Sequence, residues 1–364
     1  MPLKLKLGSP LAPIIRIPRC PGVCSRFQST SSTDNQHSDK ANSDNYKQQV
    51  PRVKTVRGNI GLHAFRKSAW VSETPLLLRA SQNFPAVRKW FQYDDGNSHN
   101  NFSQYLKEYE DTNVPYELTI AHGSRPSNLS TEHSVLSEFL QWLRESSEYK
   151  DSYLPALVDV VILPLGDNTE PNDNSSIFQQ HDAPLGLIMA ACQFNETKTE
   201  PTERIKNLYV AQCDLSFLPE SLLQDLPIPT IVKHAGRGDI YGSSIWLGLQ
   251  PTFTSLHRDP NPNLFCQLVG SKKIRLMTPN QGDGIYAHVR RELGSPGNSR
   301  FRGTEMMGDP ECELLYHAVW ENESVDEVSL GSGDALFIPK GWWHSVASSG
   351  KEGELNASVN WWFR

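Results

Sequence analysis

The sequence predicts a mainly β protein of the α+β class. A double-stranded β-helix, or jelly roll, should fill the C-terminal half, under an N-terminal cap of helices and strands. Three observations point there. From Ser244 onward, eight short runs read as strands, many of them set apart by Gly or Pro. Between residues 58 and 205 helical and strand-like patterns alternate. A polar His257-Arg258-Asp259 step lies between two strand-like runs and is answered far downstream by Trp342-Trp343-His344. Uniting segments so far apart suits a jelly roll, where strand partners are non-local.

In chain order, residues 1–33 hold Lys4, Lys6, Arg16, Arg19 and Arg26, with no acid before Asp34 and a Ser/Thr tract at Ser29–Thr33. This acid-poor, Arg- and Ser-containing composition predicts a mitochondrial presequence. Pro10, Pro13, Pro18 and Pro21 interrupt any amphipathic helix there, so a basic tail on a cytosolic or nuclear protein is the alternative. Residues 34–57 are rich in Asn, Ser and Gln and predict a disordered linker. The cap, 58–205, has a short strand at Thr74–Arg79, then Phe84-Pro85, a helix start with proline in its first turn. Tyr116–Ala121 is strand-like, and Ser134–Arg144 places Val135, Leu136, Phe139, Leu140 and Leu143 at helical spacing. Residues 166–182, rich in Asn, Asp and Gln, predict an exposed loop.

The core, 206–364, has candidate strands at Ser244–Leu249, Phe253–His257, Leu264–Val269, Lys273–Met277, Leu314–Glu321, Ala335–Pro339, Trp343–Ser348 and Asn356–Phe363. Residues 279–312 are expected to form a long loop at the barrel mouth. The chain has 364 residues, 38% hydrophobic, with a formal charge of −6, so no basic excess recommends nucleic acid as the main partner. No apolar run is long enough for a transmembrane helix, so membrane insertion is not expected. The six cysteines are scattered and lack zinc or disulfide-framework spacing.

The His-x-Asp spacing has a geometric reason. Side chains at i and i+2 of a strand share a face, so His257 and Asp259 can aim at one metal while Arg258 turns away. With His344 they make the two-imidazole, one-carboxylate set that leaves one face of an octahedral Fe(II) open. The remaining histidines, His234, His288 and His317, lack ligand spacing and read as surface or satisfied core residues.

Several stretches together resemble a known family. They are Thr74–Trp90, Leu208-Tyr209-Val210-Ala211-Gln212, and Thr254-x-x-His257-x-Asp259-Pro260-x-x-Asn263-Leu264-Phe265. Gly270-Ser271-Lys272, Gly333-Asp334-x-x-Phe337-Ile338-Pro339-x-x-Trp342-Trp343-His344 and the closing Asn360-Trp361-Trp362 complete the pattern. From about Ser72 to Arg364 the chain is similar to the JmjC/cupin-like Fe(II)- and 2-oxoglutarate-dependent oxygenases, especially the small hydroxylases such as the hypoxia-pathway asparaginyl hydroxylase. The resemblance implies His257, Asp259 and His344 as iron ligands, and Lys272 as the partner of the distal 2-oxoglutarate carboxylate. It also implies Thr254 and Tyr209 as hydroxyl donors to that carboxylate, Asn263 and Asn360 as polar residues lining the cosubstrate pocket, and Trp361 as an aromatic near the iron.

Lys272 has physical support. A dicarboxylate buried in a barrel needs a cation at its far end, and alternation lets only one of Lys272 and Lys273 face inward. The expected reaction is hydroxylation of a protein side chain using Fe(II), 2-oxoglutarate and O2. A tRNA-base hydroxylase, with a basic groove at Arg290, Arg291, Arg300 and Arg302, a lysine demethylase, and a non-enzymatic metal-binding cupin module are the alternatives.

Overall fold

The computed structural model describes residues 53–92, 101–120, 126–162, 177–206, 208–294 and 309–364. The strands are β1 Lys54–Arg57, β2 Leu76–Arg79, β3 Phe91–Gln92, β4 Asn101–Phe102, β5 Asn113–Ile120, β6 Ile177–Pro184, β7 Leu208–Asp214, β8 Ile240–Leu249, β9 Phe253–Arg258, β10 Asn263–Val269, β11 Lys272–Met277, β12 Asp326–Leu330, β13 Ala335–Ile338, β14 Trp343–Ser348 and β15 Leu355–Phe363. A nine-stranded sheet runs β1-β2-β13-β10-β15-β8-β7-β5-β6, and a four-stranded sheet, β12-β11-β14-β9, faces it; β3 and β4 form a separate hairpin. Neighbours far apart in sequence, such as β9 with β14 and β10 with β15, make this the jelly-roll architecture.

Alternation sorts the nine-stranded sheet into two faces. On β15, Leu355, Ala357, Val359, Trp361 and Phe363 enter the main core, together with Phe84, Trp90, Phe139 and the helix Leu185–Glu196. That helix is apolar on nearly every side and is accordingly buried almost throughout. The opposite face looks at the smaller sheet. There Phe265, Leu336 and Ile338 meet Ile274, Leu276, Val328, Leu330 and Val346, closing one end of the barrel with apolar side chains.

Several expectations need correction. The supposed strand at Leu314–Glu321 is part of a helix, Asp309–Trp320. A short apolar run does not by itself distinguish the two; here the buried residues Cys312, Leu315 and Val319 recur at helical spacing. The expected long loop at 279–312 contains a second helix, Pro279–Glu292. Its start signal was present in Thr278-Pro279: the Thr278 side chain caps the helix, and proline fits its first turn. Gly282 and Gly284 disguised it.

Residues 54–57, expected within a disordered linker, form β1, paired in parallel with β2. Residues 177–182, expected within a loop, belong to β6, paired along its length with β5. The sheet also crosses the expected division at 205/206, because β1, β2, β5 and β6 extend it. Strand β12 was not foreseen. It is an edge strand that buries only Val328 and Leu330. The leader 1–33 and most of the linker lie outside the described residues.

Candidate metal centre

Strands β9 and β14 lie side by side with His257 directly opposite His344, and their ring centroids are 3.9 Å apart. Asp259 follows immediately after β9. Ligand atoms of His257, Asp259 and His344 all lie within 4.8 Å of one another, and the residues are 5%, 5% and 2% exposed. Thr254 also belongs to the inner face, although a three-residue offset from His257 would reverse direction in a regular strand. The register resolves this. His344 pairs with His257 and Val346 with Thr254, so three steps on β9 match two on β14. This bulge brings Thr254 and His257 to one side.

Each imidazole is held by its Nδ1. That of His257 is 2.9 Å from the Ser255 carbonyl oxygen, and that of His344 is 3.3 Å from the carbonyl of Trp342. A carbonyl only accepts, so Nδ1–H is the donor and Nε2 carries the lone pair for a metal. His344 Nε2 lies 3.6 Å from Asp259 Oδ2. A relay of amides orients the carboxylate: Asn263 Nδ2 donates to Asp259 Oδ2 at 3.0 Å, Asn360 Nδ2 to Asn263 Oδ1 at 3.2 Å, and Trp246 Nε1 to Asn360 Oδ1 at 2.7 Å. Burial pushes the Asp259 carboxyl up to about 6, against the opposing pull of the Trp362 and Asn263 side chains. A buried carboxylate of raised pKa beside two imidazoles with metal-ready Nε2 atoms fits a divalent cation, whose charge would reverse the burial penalty.

Lys272 begins β11 and is 2% exposed. Its ammonium donates to Ser358 Oγ at 2.8 Å and lies 5.4 Å from the centre of the Phe265 ring. Lys273 turns outward to Glu327, 3.4 Å away, as alternation requires. Tyr209 is buried on β7 beside Trp246, with ring centroids 6.1 Å apart, and lies against Gly248 across the sheet. Any side chain at Gly248 would put its Cβ 2.2 Å from the Tyr209 ring.

One expectation fails by a single position. Trp361 points into the main core, where it packs 5.7 Å from Phe84. Trp362 is on the site face with Asn360, grouped with Tyr209, Ala211 and Trp246. The same alternation, stepping by two from Asn360, would have found both Trp362 and Ser358. Of the basic residues considered for an RNA groove, Arg290 pairs with Glu311 at 3.3 Å, while Arg300 and Arg302 lie outside the described residues. His288 and His317 pair with Glu292 and Glu321 on helix surfaces, and His234 is exposed. Among the described residues no helix is long and apolar enough to cross a membrane.

The chain matches the model of the cupin-like domain over residues 62–364. It is 32% identical over 168 residues to Jumonji C domain-containing protein 5 of Drosophila melanogaster, covering 45% of this chain and 39% of that protein. It is 31% identical over 150 residues to JmjC domain-containing protein D of Dictyostelium discoideum, covering 38% and 32%. With Lysine-specific demethylase 8 of Danio rerio it shares 31% identity over 157 residues, covering 43% and 36%. The chain therefore spans between 32% and 39% of the length of these curated relatives. With the domain match running from residue 62 to residue 364 and JmjC proteins among its relatives, the chain belongs to the JmjC/cupin-like family.

Proposed function

We propose that the protein is an Fe(II)- and 2-oxoglutarate-dependent oxygenase that hydroxylates a protein side chain. One observation carries this reading: a buried two-histidine, one-carboxylate cluster shares its barrel with a buried lysine. His257, Asp259 and His344 would hold the ferrous ion, which when bound supplies the oxygen-activating and hydrogen-abstracting chemistry. Overall, one atom of O2 would enter a substrate C–H bond and the other would enter succinate, as 2-oxoglutarate loses CO2.

The remaining residues bind, orient and exclude water. Lys272 meets the distal carboxylate of 2-oxoglutarate, with the hydroxyls of Thr254 and Tyr209 as further donors. Asn263 and Asn360 keep Asp259 turned toward the metal through their hydrogen bonds. The apolar cluster of Phe265, Ile274, Leu336 and Val346 closes one end of the barrel to water.

A second reading is favoured by the name of one relative, Lysine-specific demethylase 8. The same chemistry on an N-methyl carbon would give a hydroxymethyl amine that loses formaldehyde. Purified protein, incubated with Fe(II), ascorbate, 2-oxoglutarate and a protein extract, should form succinate. Target peptides should gain one oxygen, or lose a methyl group under the second reading. His257→Ala should do neither. Equal succinate from wild type and His257→Ala would overturn the proposal; oxygen gain confined to added tRNA would move the substrate class to RNA. Residues 1–33 are proposed as a mitochondrial targeting segment, to be tested by fusing them to a fluorescent protein and following its location.

A further inference from the structure

We propose that Asp283, outside the barrel, is a positioning residue for the metal site, holding together the two strands that carry His257 and His344. The inference rests on the metal-centre reading above. Arg258 and Trp343 form the cross-strand pair next to the His257–His344 pair. Alternation sends both away from the metal, toward the helix Pro279–Glu292. There a single atom, Asp283 Oδ1, accepts from Arg258 Nη1 at 3.1 Å and from Trp343 Nε1 at 3.0 Å. One carboxylate oxygen thus bridges the residue after one histidine and the residue before the other.

The helix is seated tightly on this row. A Cβ at Gly282 would lie 2.1 Å from Trp343 Cγ and 2.5 Å from Trp343 Cβ, so this close approach needs glycine. Tyr286, one turn further along, stacks on Trp343 with centroids 5.4 Å apart, and the Arg258 guanidinium lies 5.1 Å from the Trp343 ring centre. Trp343 is therefore held by the Asp283 acceptor, a flanking aromatic ring and the Gly282 backbone. Its neighbour His344 cannot shift along the strand without moving it.

The position of this clamp separates positioning from bulk stabilisation. The Arg258 and Asp283 side chains are 31% and 52% exposed, so their ion pair contributes little to folding. Metal ligation is far more demanding, since ligand distances must hold to a few tenths of an ångström. Loosening the end of the β9–β14 pair should therefore reach the metal before it reaches the fold.

The test uses Co(II) as a spectroscopic probe, with affinity read from its visible absorption bands and Tm from circular dichroism. Asp283→Ala should weaken Co(II) binding on the order of tenfold, the low end for loss of an outer-shell partner, with Tm nearly unchanged. Asp283→Asn retains an oxygen acceptor and should bind nearly as wild type does. Gly282→Ala, which wedges Trp343 away from the helix, should weaken binding at least as much as Asp283→Ala. The inference is overturned if Asp283→Ala and Gly282→Ala bind Co(II) normally, if Asp283→Ala lowers Tm without changing affinity, or if Asp283→Asn is as weak as Asp283→Ala. Should wild type show no Co(II) bands beyond those of His257→Ala, the metal reading itself fails and takes this inference with it.

Discussion

Lys272 and Lys273 are adjacent and chemically identical, yet one is buried against Ser358 and the other reaches outward to Glu327. Strand alternation sends the two to opposite faces, and the family resemblance, not alternation, picks Lys272 as the inward one. Truncating Lys272 would leave the distal carboxylate of 2-oxoglutarate buried without its cation, at a cost of about 3 kcal/mol or more. The KM for 2-oxoglutarate should rise by roughly a hundredfold in Lys272→Ala while Fe(II) affinity stays unchanged; an unaltered KM would remove Lys272 from the site.

Asp259 gives a pH signature of known sign. Its carboxyl is raised to about 6 from the ordinary aspartate value of 3.8, so between those values the folded apoprotein holds a proton that the unfolded chain has released. Apoprotein stability should therefore fall as pH rises from about 4 to about 6, by about 3 kcal/mol relative to Asp259→Asn. Metal affinity should run the other way. Binding needs the ionised carboxylate, so affinity is lost as pH falls below about 6. Urea titrations and Mn(II) binding across this range check both slopes.

At the scale of elements, legibility followed periodicity. The inward strands β9, β10, β11, β14 and β15 carry long apolar or alternating runs and were readable within a residue or two. The helix Asp309–Trp320 is hard to see in the sequence because Leu314-Leu315 and Val319-Trp320 look strand-like when the sheet beneath them is unknown. The bulge on β9 was also hidden. Nothing in Thr254-Ser255-Leu256-His257 announces an extra residue, and only pairing with β14 reveals it. The Trp361/Trp362 exchange has the same origin: which of two adjacent tryptophans faces the site depends on register rather than residue type.

Gly248 is a further case in which meaning lies in the neighbour. Its missing side chain makes room for Tyr209, so Gly248→Ala, with its Cβ 2.2 Å from the Tyr209 ring, must displace that ring. The variant should fold and bind metal normally but require roughly tenfold more 2-oxoglutarate, the equivalent of about one hydrogen bond. If steady-state kinetics give the wild-type requirement while the structure confirms that Tyr209 has moved, its hydroxyl has no part in holding the cosubstrate.

At the scale of the whole molecule, His257, Asp259 and His344 are short links between two large layers. His257 and His344 stand on adjacent strands of the four-stranded sheet, but Asp259 is hydrogen-bonded to Asn263 of β10, which is joined to Asn360 of β15 and then to Trp246 of β8. A metal drawing on Asp259 therefore pulls on three strands of the nine-stranded sheet through one line of hydrogen bonds. Without it, the barrel contains a carboxylate that burial works to neutralise.

Metal binding should consequently stabilise the entire fold. At a free-metal concentration one hundred times Kd, the gain is about 2.7 kcal/mol, a Tm rise on the order of 5 °C for a domain of this size. Mn(II), which binds without redox chemistry, should produce that rise, EDTA should reverse it, and His344→Ala should abolish it. Asn360→Ala provides the sharper comparison. It retains every metal ligand but breaks the relay, leaving the Trp246 indole and the Asn263 carbonyl oxygen without their partners. If the two sheets communicate through that line, this variant should bind Mn(II) more weakly and so gain clearly less Tm than wild type at the same free Mn(II) concentration. An equal gain at the same free Mn(II) concentration would mean that the relay adds nothing to metal affinity and does no more than satisfy buried polar groups.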